Sequence, residues 1–236
     1  MIALRDVSKV FTVPHERPRT LFHRLFGRGR SWRTWQALDR VSLSVSAGSC
    51  VALLGHNGSG KSTLLRIVAG IYPPSSGEVE VSGPVAPILD LGVGFRGALS
   101  VRHNALLYGV LLGVPREALK RDLEAILDEA GVQPFGGARL EILSTGLRAR
   151  LAFTLALRAD APVLLIDEAL AVGDEVFQKR CLRQIDGLRA SGRTILFVSH
   201  DLSLVENLCD RVVVLEAGQV KAEGPPAEMI ALYRAT

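Results

Sequence analysis

The chain has 236 residues, of which 48% are apolar and 22% charged, and a formal charge of +4 at pH 7. That apolar share suits a well-buried α/β core, in one large domain or two small ones, and excludes a disordered tail. Cys50, Cys181 and Cys209 are scattered and odd in number, without paired metal-ligand spacing. This argues against a disulfide framework and leaves three buried thiols in a reducing compartment.

The start, Met1-Ile2-Ala3-Leu4-Arg5-Asp6, lacks the long apolar core of an export signal. The longest uncharged apolar stretch, Ala105 to Val114, is about half the roughly 20 residues that a membrane-spanning helix needs. Any membrane association is therefore expected through a partner or a surface patch. Residues 15–35 hold Arg17, Arg19, Arg24, Arg28, Arg30 and Arg33 against Glu16 alone, so the rest of the chain is close to neutral. Leu21, Phe22, Leu25 and Phe26 fall on one helical face, and Trp32 and Trp35 are the chain's two tryptophans. The segment has the profile of a helix at a membrane interface or against a membrane partner, and alternatively of a solvated loop whose aromatics pack on the domain. Nucleic acid is not expected, because no recognition motif accompanies the basic patch.

Val41-Ser42-Leu43-Ser44-Val45 alternates like a half-buried strand. The apolar run Cys50-Val51-Ala52-Leu53-Leu54 leads into Gly55-His56-Asn57-Gly58-Ser59-Gly60-Lys61-Ser62, and Thr63-Leu64-Leu65-Arg66-Ile67-Val68 continues with helical spacing. Strand, glycine-rich loop and helix in this order bring backbone N–H groups and the positive end of a helix dipole against phosphate oxygens. A nucleoside triphosphate is the ligand this implies. Lys61 would reach its β and γ phosphates, and the Ser62 hydroxyl would take a place on Mg²⁺.

Pro73-Pro74-Ser75-Ser76-Gly77 is a turn into Glu78-Val79-Glu80-Val81, which with Val41–Val45 suggests antiparallel strands. Residues from about 100 to 158 are rich in Leu, Ala and Arg with helical periodicity and read as a helical subdomain inserted into the sheet. Within it, Ser144 and Gly146 stand at a helix start. Alone this is an ordinary cap; in a nucleotide-binding chain it also offers a second anion site, which another copy's phosphate could fill.

The runs Val163–Ile166, Thr194–Val198 and Arg211–Leu215 alternate with helical segments and predict a parallel sheet covered by helices. Leu164-Leu165-Ile166-Asp167-Glu168 ends in two carboxylates, Asp167 to hold Mg²⁺ and Glu168 to polarise the attacking water as general base. Ser199-His200-Asp201 ends the next run, and His200 could donate a hydrogen bond to a γ-phosphate and hold that water.

These pieces together resemble the ABC-type ATPases over nearly the whole chain. The resemblance implies a P-loop fold with a mixed sheet core, an antiparallel β subdomain and the inserted helical subdomain. It implies that Gly55, His56, Asn57, Gly58, Ser59, Gly60, Lys61, Ser62 and Thr63 form the Walker A loop and that Asp167 and Glu168 are the Walker B pair. Gly173-Asp174 would be the D-loop, His200 the switch histidine, and Phe11 the aromatic stacked on adenine. Ser144 and Gly146 would contact the ATP of the opposite subunit, so that two ATP molecules are sandwiched in a homodimer. Two departures stand out. The signature reads Leu-Ser-Thr-Gly-Leu, not Leu-Ser-Gly-Gly-Gln, and no Gln lies between Gln36 and Gln133 to serve as the family's Q-loop residue. Asp90, in Leu89-Asp90-Leu91-Gly92-Val93-Gly94-Phe95, is the candidate to replace it near Mg²⁺, since a carboxylate is a good ligand for a hard cation.

That stretch, Ser144 to Phe153 and above all Asp167 to Lys179 resemble the ATPase subunits of bacterial exporters of O-antigen, capsule and teichoic acid. The resemblance implies a motor that exports a lipid-linked polysaccharide through a separate transmembrane permease, at the cytoplasmic face of the inner membrane. The basic segment resembles, in position, the helix these subunits place near the channel mouth. About twenty residues follow the Leu215-Glu216-Ala217-Gly218 turn, so the carbohydrate-binding domain that some members add is expected to be absent. Two rival readings are the same motor with a lipid or small-molecule cargo, and a soluble ATP-gated clamp on nucleic acid or ribosomes.

Overall fold

Cys50–Leu54 and Thr194–Val198 are buried at every residue, and Val163–Asp167 at every residue but the last, as apolar runs are when helices cover both faces of a sheet. A computed structural model describes residues 1–14, 32–89, 91–167 and 174–235. In chain order the strands are β1 (Ile2–Pro14), β2 (Trp32–Val45), β3 (Cys50–Leu54), β4 (Ser76–Val81), β5 (Val85–Ile88), β6 (Val163–Asp167), β7 (Thr194–Val198), β8 (Arg211–Glu216) and β9 (Gln219–Gly224). The helices are α1 (Lys61–Val68), α2 (Val101–Leu111), α3 (Arg116–Glu129), α4 (Thr145–Ala156), α5 (Glu175–Ala190), α6 (Leu202–Leu208) and α7 (Pro226–Arg234).

Two sheets result. One has the order β5-β6-β7-β3-β8-β9, parallel from β5 to β8, and the other the order β2-β1-β4, antiparallel throughout. The last strand makes this sheet mixed, as the resemblance implied. Ala217 and Gly218, the two residues between β8 and β9, both have positive φ, the backbone of a tight hairpin turn, so β9 returns antiparallel to β8.

Side chains alternate along β3 between two cores. Val51 and Leu53 meet α1 and the inner face of the small sheet, including Ile2, Leu4 and Val7, while Cys50, Ala52 and Leu54 face Phe177, Cys181, Ile185, Val205 and Ile230 from α5, α6 and α7. Residues 101–156 contribute α2, α3, α4 and two short 3-10 turns, with a core of their own around Val101, Ala105, Leu119, Ile126, Leu127, Leu151 and Leu155. All three cysteines are buried and free.

The expected basic segment at 15–35 gives its last four residues to β2, where Trp32 pairs with Pro14 and Trp35 with Phe11. Threonine and tryptophan favour strands, and pairing with Phe11 to Pro14 secures the extended form. Residues 15–31 lie outside the described residues.

Candidate functional site

The register of the central strands decides what meets at their carboxyl ends. Leu53 of β3 pairs with Val198 of β7, and Val198 pairs with Asp167 of β6. The loop after Leu54, the Asp167 carboxylate and the Ser199–His200 segment therefore leave the sheet side by side, within about two strand spacings, roughly 10 Å. An open α/β sheet forms its ligand crevice at such an edge.

The loop after β3 is held by backbone. Ser59 N–H donates to His56 O at 3.1 Å, Gly218 N–H to Ser59 O at 3.1 Å and Leu64 N–H to Gly60 O at 2.8 Å. Gly60 caps α1 with φ of 106°, and a Cβ there would lie 2.6 Å from Leu38 Cδ2 and 2.7 Å from Ala37 O, so any other residue would push the loop off the small sheet. Gly58 has φ of 84° and nothing within 4 Å of a built Cβ, which leaves its side of the loop open to a ligand. Lys61 opens α1 and is buried; its Nζ donates to Gly55 O at 2.6 Å and His56 O at 3.1 Å. The ammonium thus lies under the loop it would serve. Ser59 Oγ is buried and finds no hydrogen-bond partner among the described residues, a cost of about 1–3 kcal/mol that a ligand supplying one would remove.

A cavity of about 310 Å³ opens over this loop, lined by Trp35, Asn57, Gly58, Gly60, Lys61, Ser62 and Thr63. Its donors suit a phosphate chain, and Trp35, 54% exposed, adds a flat aromatic wall. The ring of Phe11 lies against Trp35, stacked at 5.9 Å, and edge-on to Tyr72 at 5.5 Å, with Lys9 Nζ 5.1 Å from its centre. The aromatic lining the cavity is therefore Trp35, with Phe11 supporting it. Sequence reading placed Trp35 in the basic segment; its pairing with Phe11 between β1 and β2, which no local sequence signal announces, brings it to the cavity.

Asp167 is half-buried at the end of β6. Among the described residues no three His, Cys, Asp or Glu side chains gather as a metal cage. The residues present fit Mg²⁺ of the kind that nucleotides carry, held by one carboxylate, a hydroxyl, phosphates and water. His200 is exposed next to Asp201, which caps α6 by accepting from Ser203 N–H at 3.0 Å and Leu204 N–H at 3.1 Å.

Ser144 caps α4, its Oγ accepting from Leu147 N–H at 3.3 Å, and residues 144–146 are exposed. Among the described residues a Cβ built on Gly146 would meet Ser144 Oγ at 3.9 Å and nothing else, so the space beside this helix start is open, and the first N–H groups of a helix have no partner within it. Asp174 is occupied within its own chain. It caps α5 by accepting from Phe177 N–H at 2.9 Å and pairs with Arg150 at 2.9 Å. The Phe177 N–H, with the Arg150 guanidinium second, holds its carboxyl below the ordinary 3.8. Asp90, Glu168 and Gly173 lie outside the described residues.

A sequence profile of the family described as ABC transporter matches residues 38–171. The ABC transporter protein AbcA of Aeromonas salmonicida is 36% identical over 99% of this chain and 75% of its own length. The O-antigen export system ATP-binding protein RfbB of Klebsiella pneumoniae is 39% identical over 92% of this chain and 86% of its own. A solved dimeric ATP-binding cassette, in a post-hydrolysis state bound to ADP and Pi, shares the fold with a TM-score of 0.76 and 23% identity over 96% of this chain and 99% of that one. The chain belongs to the ABC transporter family.

Proposed function

We propose that this chain is the motor subunit of an exporter of lipid-linked polysaccharide, a homodimer on the cytoplasmic face of the inner membrane that drives a separate permease. One observation carries the motor reading: the Leu53–Val198–Asp167 register sets the phosphate loop, a carboxylate and His200 at one sheet edge. The cargo rests on likeness to the Klebsiella pneumoniae O-antigen export protein.

In this reading the backbone N–H groups of Gly55 to Gly60 cradle the phosphates, with His56, Asn57 and Ser59 shaping the loop. Lys61 turns from its two carbonyls to the β and γ phosphates, and Thr63 closes the far wall. Trp35, supported by Phe11, offers its face to adenine. Ser62 and Asp167 would hold Mg²⁺, which would neutralise phosphate charge when bound; Asp90 is the candidate for a further contact. Glu168 takes a proton from the attacking water as its oxygen bonds the γ-phosphorus, and the bond to the ADP oxygen breaks to leave ADP and phosphate. His200 positions that water. Ser144 and Gly146 reach the γ-phosphate of a twin molecule, so ATP closes the dimer and hydrolysis reopens it. Asp174 acts by holding the start of α5 in place.

Partner identification tests the cargo. Affinity purification from detergent-solubilised membranes is expected to recover a polytopic membrane protein, and loss of this chain should leave undecorated glycan inside the cell. Recovery of ribosomes or nucleic acid, or normal surface glycan without the chain, contradicts the proposal.

A further inference from the structure

The turn that leads into Ser144 is pinned from two sides. From one side, Leu140 N–H donates to Leu99 O at 2.9 Å and Glu141 N–H to Gly97 O at 3.2 Å. That supporting loop is fixed in turn by the fully buried Asn104, whose amide donates to the carbonyls of Arg96, Leu99 and Ser100 at 2.9, 3.1 and 3.0 Å and whose Oδ1 accepts from Arg96 N–H at 2.7 Å. From the other side comes a single side chain. Arg148, one turn into α4, folds back so that Nε donates to Leu143 O at 3.0 Å and a terminal nitrogen donates to Glu141 O at 2.7 Å.

Leu143 and Ser144 are extended; Ser144 O accepts from Arg148 N–H at 3.0 Å as the first helical bond, whereas the carbonyls of Glu141 and Leu143 accept from the Arg148 side chain. A guanidinium presents its donors in a rigid fork and never loses its charge, so two charge-assisted bonds from Arg148 fix the plane of the peptide that enters Ser144. Without them the turn keeps its bonds to residues 97–99, the bonds of Ile142 N–H to Arg139 O and Leu143 N–H to Leu140 O, and the Ser144 cap, but nothing it retains holds the Leu143 carbonyl among the described residues. The direction of Ser144 Oγ and of the N–H groups at the start of α4 is then free to spread.

We propose that Arg148 is a positioning residue for the pairing of two chains: it aims Ser144 and Gly146 at the nucleotide of the twin while leaving nucleotide binding by the single chain untouched. The inference rests on the reading of Ser144 given above.

The test uses the full chain carrying E168Q, which should pair on MgATP without turning it over. Two quantities are measured: affinity of the dilute, unpaired chain for a fluorescent ATP analogue, and the protein concentration at which half the chains pair. For E168Q/R148M the expected affinity is within twofold of E168Q, while half-pairing needs at least tenfold more protein; E168Q/R148K, which keeps charge and one donor, should fall between. Amide exchange should quicken at residues 144–147 in R148M, with protection in β7 unchanged. Pairing of E168Q/R148M at the same concentration as E168Q overturns the proposal, and so does an equal loss of affinity and pairing, the mark of a general structural defect. If R148M does not fold, R148K decides alone: severalfold weaker pairing supports the proposal and unchanged pairing overturns it. If E168Q itself binds MgATP but never pairs, the reading of Ser144 fails and Arg148 falls with it.

Discussion

Lys61 carries a full charge with only 7% of its surface exposed. A buried cation is tolerated because it donates hydrogen bonds to two carbonyls of its own loop. Phosphate oxygens offer stronger acceptors than carbonyls, so ATP arrival lets Lys61 exchange partners at little cost. Trp35 is the other residue on which the site turns. With Trp32→Phe in the background, Trp35 is the sole tryptophan, and its fluorescence should be quenched as ATP binds. Trp35→Ala should weaken ATP binding about tenfold, consistent with the ~1–3 kcal/mol of a base stacked on an aromatic ring, and Trp35→Phe should retain most of it. Unchanged affinity in Trp35→Ala would place the base elsewhere. Lys61, Ser62 and the glycines could be read directly from the sequence because a phosphate loop is local, each part adjacent to the next. The position of Trp35 could not, since it depends on which residue of β1 it faces across a hairpin.

The elements were legible where their burial is uniform. Unbroken apolar runs at β3, β6 and β7 announced strands covered on both faces, and the alternation in Val41–Val45 announced a sheet with one face open. The start of β2 was not, because Trp32-Arg33-Thr34-Trp35 continues an arginine-rich stretch and only tertiary pairing makes it a strand. The role of Asp174 was equally hidden. Motif position suggests a ligand contact; in the single chain the carboxylate caps the first turn of α5 and pairs with Arg150 on α4.

This commitment has a pH signature. A carboxyl held below its ordinary 3.8 in the folded chain is deprotonated more readily there than in the unfolded chain. It therefore adds stability above the unfolded value and loses that contribution as pH falls through the folded one. Asp174→Ala should lower the melting temperature at pH 7, and the gap from the parent should close as the pH is brought below 3.8. A gap independent of pH would contradict the assignment. Burial acts oppositely on the thiols, pushing Cys181 up to about 12. In the folded chain at pH 8 it should resist thiol reagents, and denaturant should release the reaction; rapid modification of native protein would contradict its place in the core.

At the scale of the whole molecule, the proposed motor makes the exposed start of α4 and the loop around Lys61 two halves of one site, completed by a second chain. Among the described residues no helix is long and apolar enough to cross a membrane. ATP binding is then worth most when it joins two chains, because mass action converts nucleotide affinity into association.

Sedimentation of purified E168Q with and without MgATP tests this most directly. The account predicts single chains without nucleotide, dimers retaining one ATP per chain with it, and neither binding nor pairing once Lys61→Ala is added. Single chains that hold MgATP at every protein concentration, or dimers that form equally with Lys61→Ala, would contradict it.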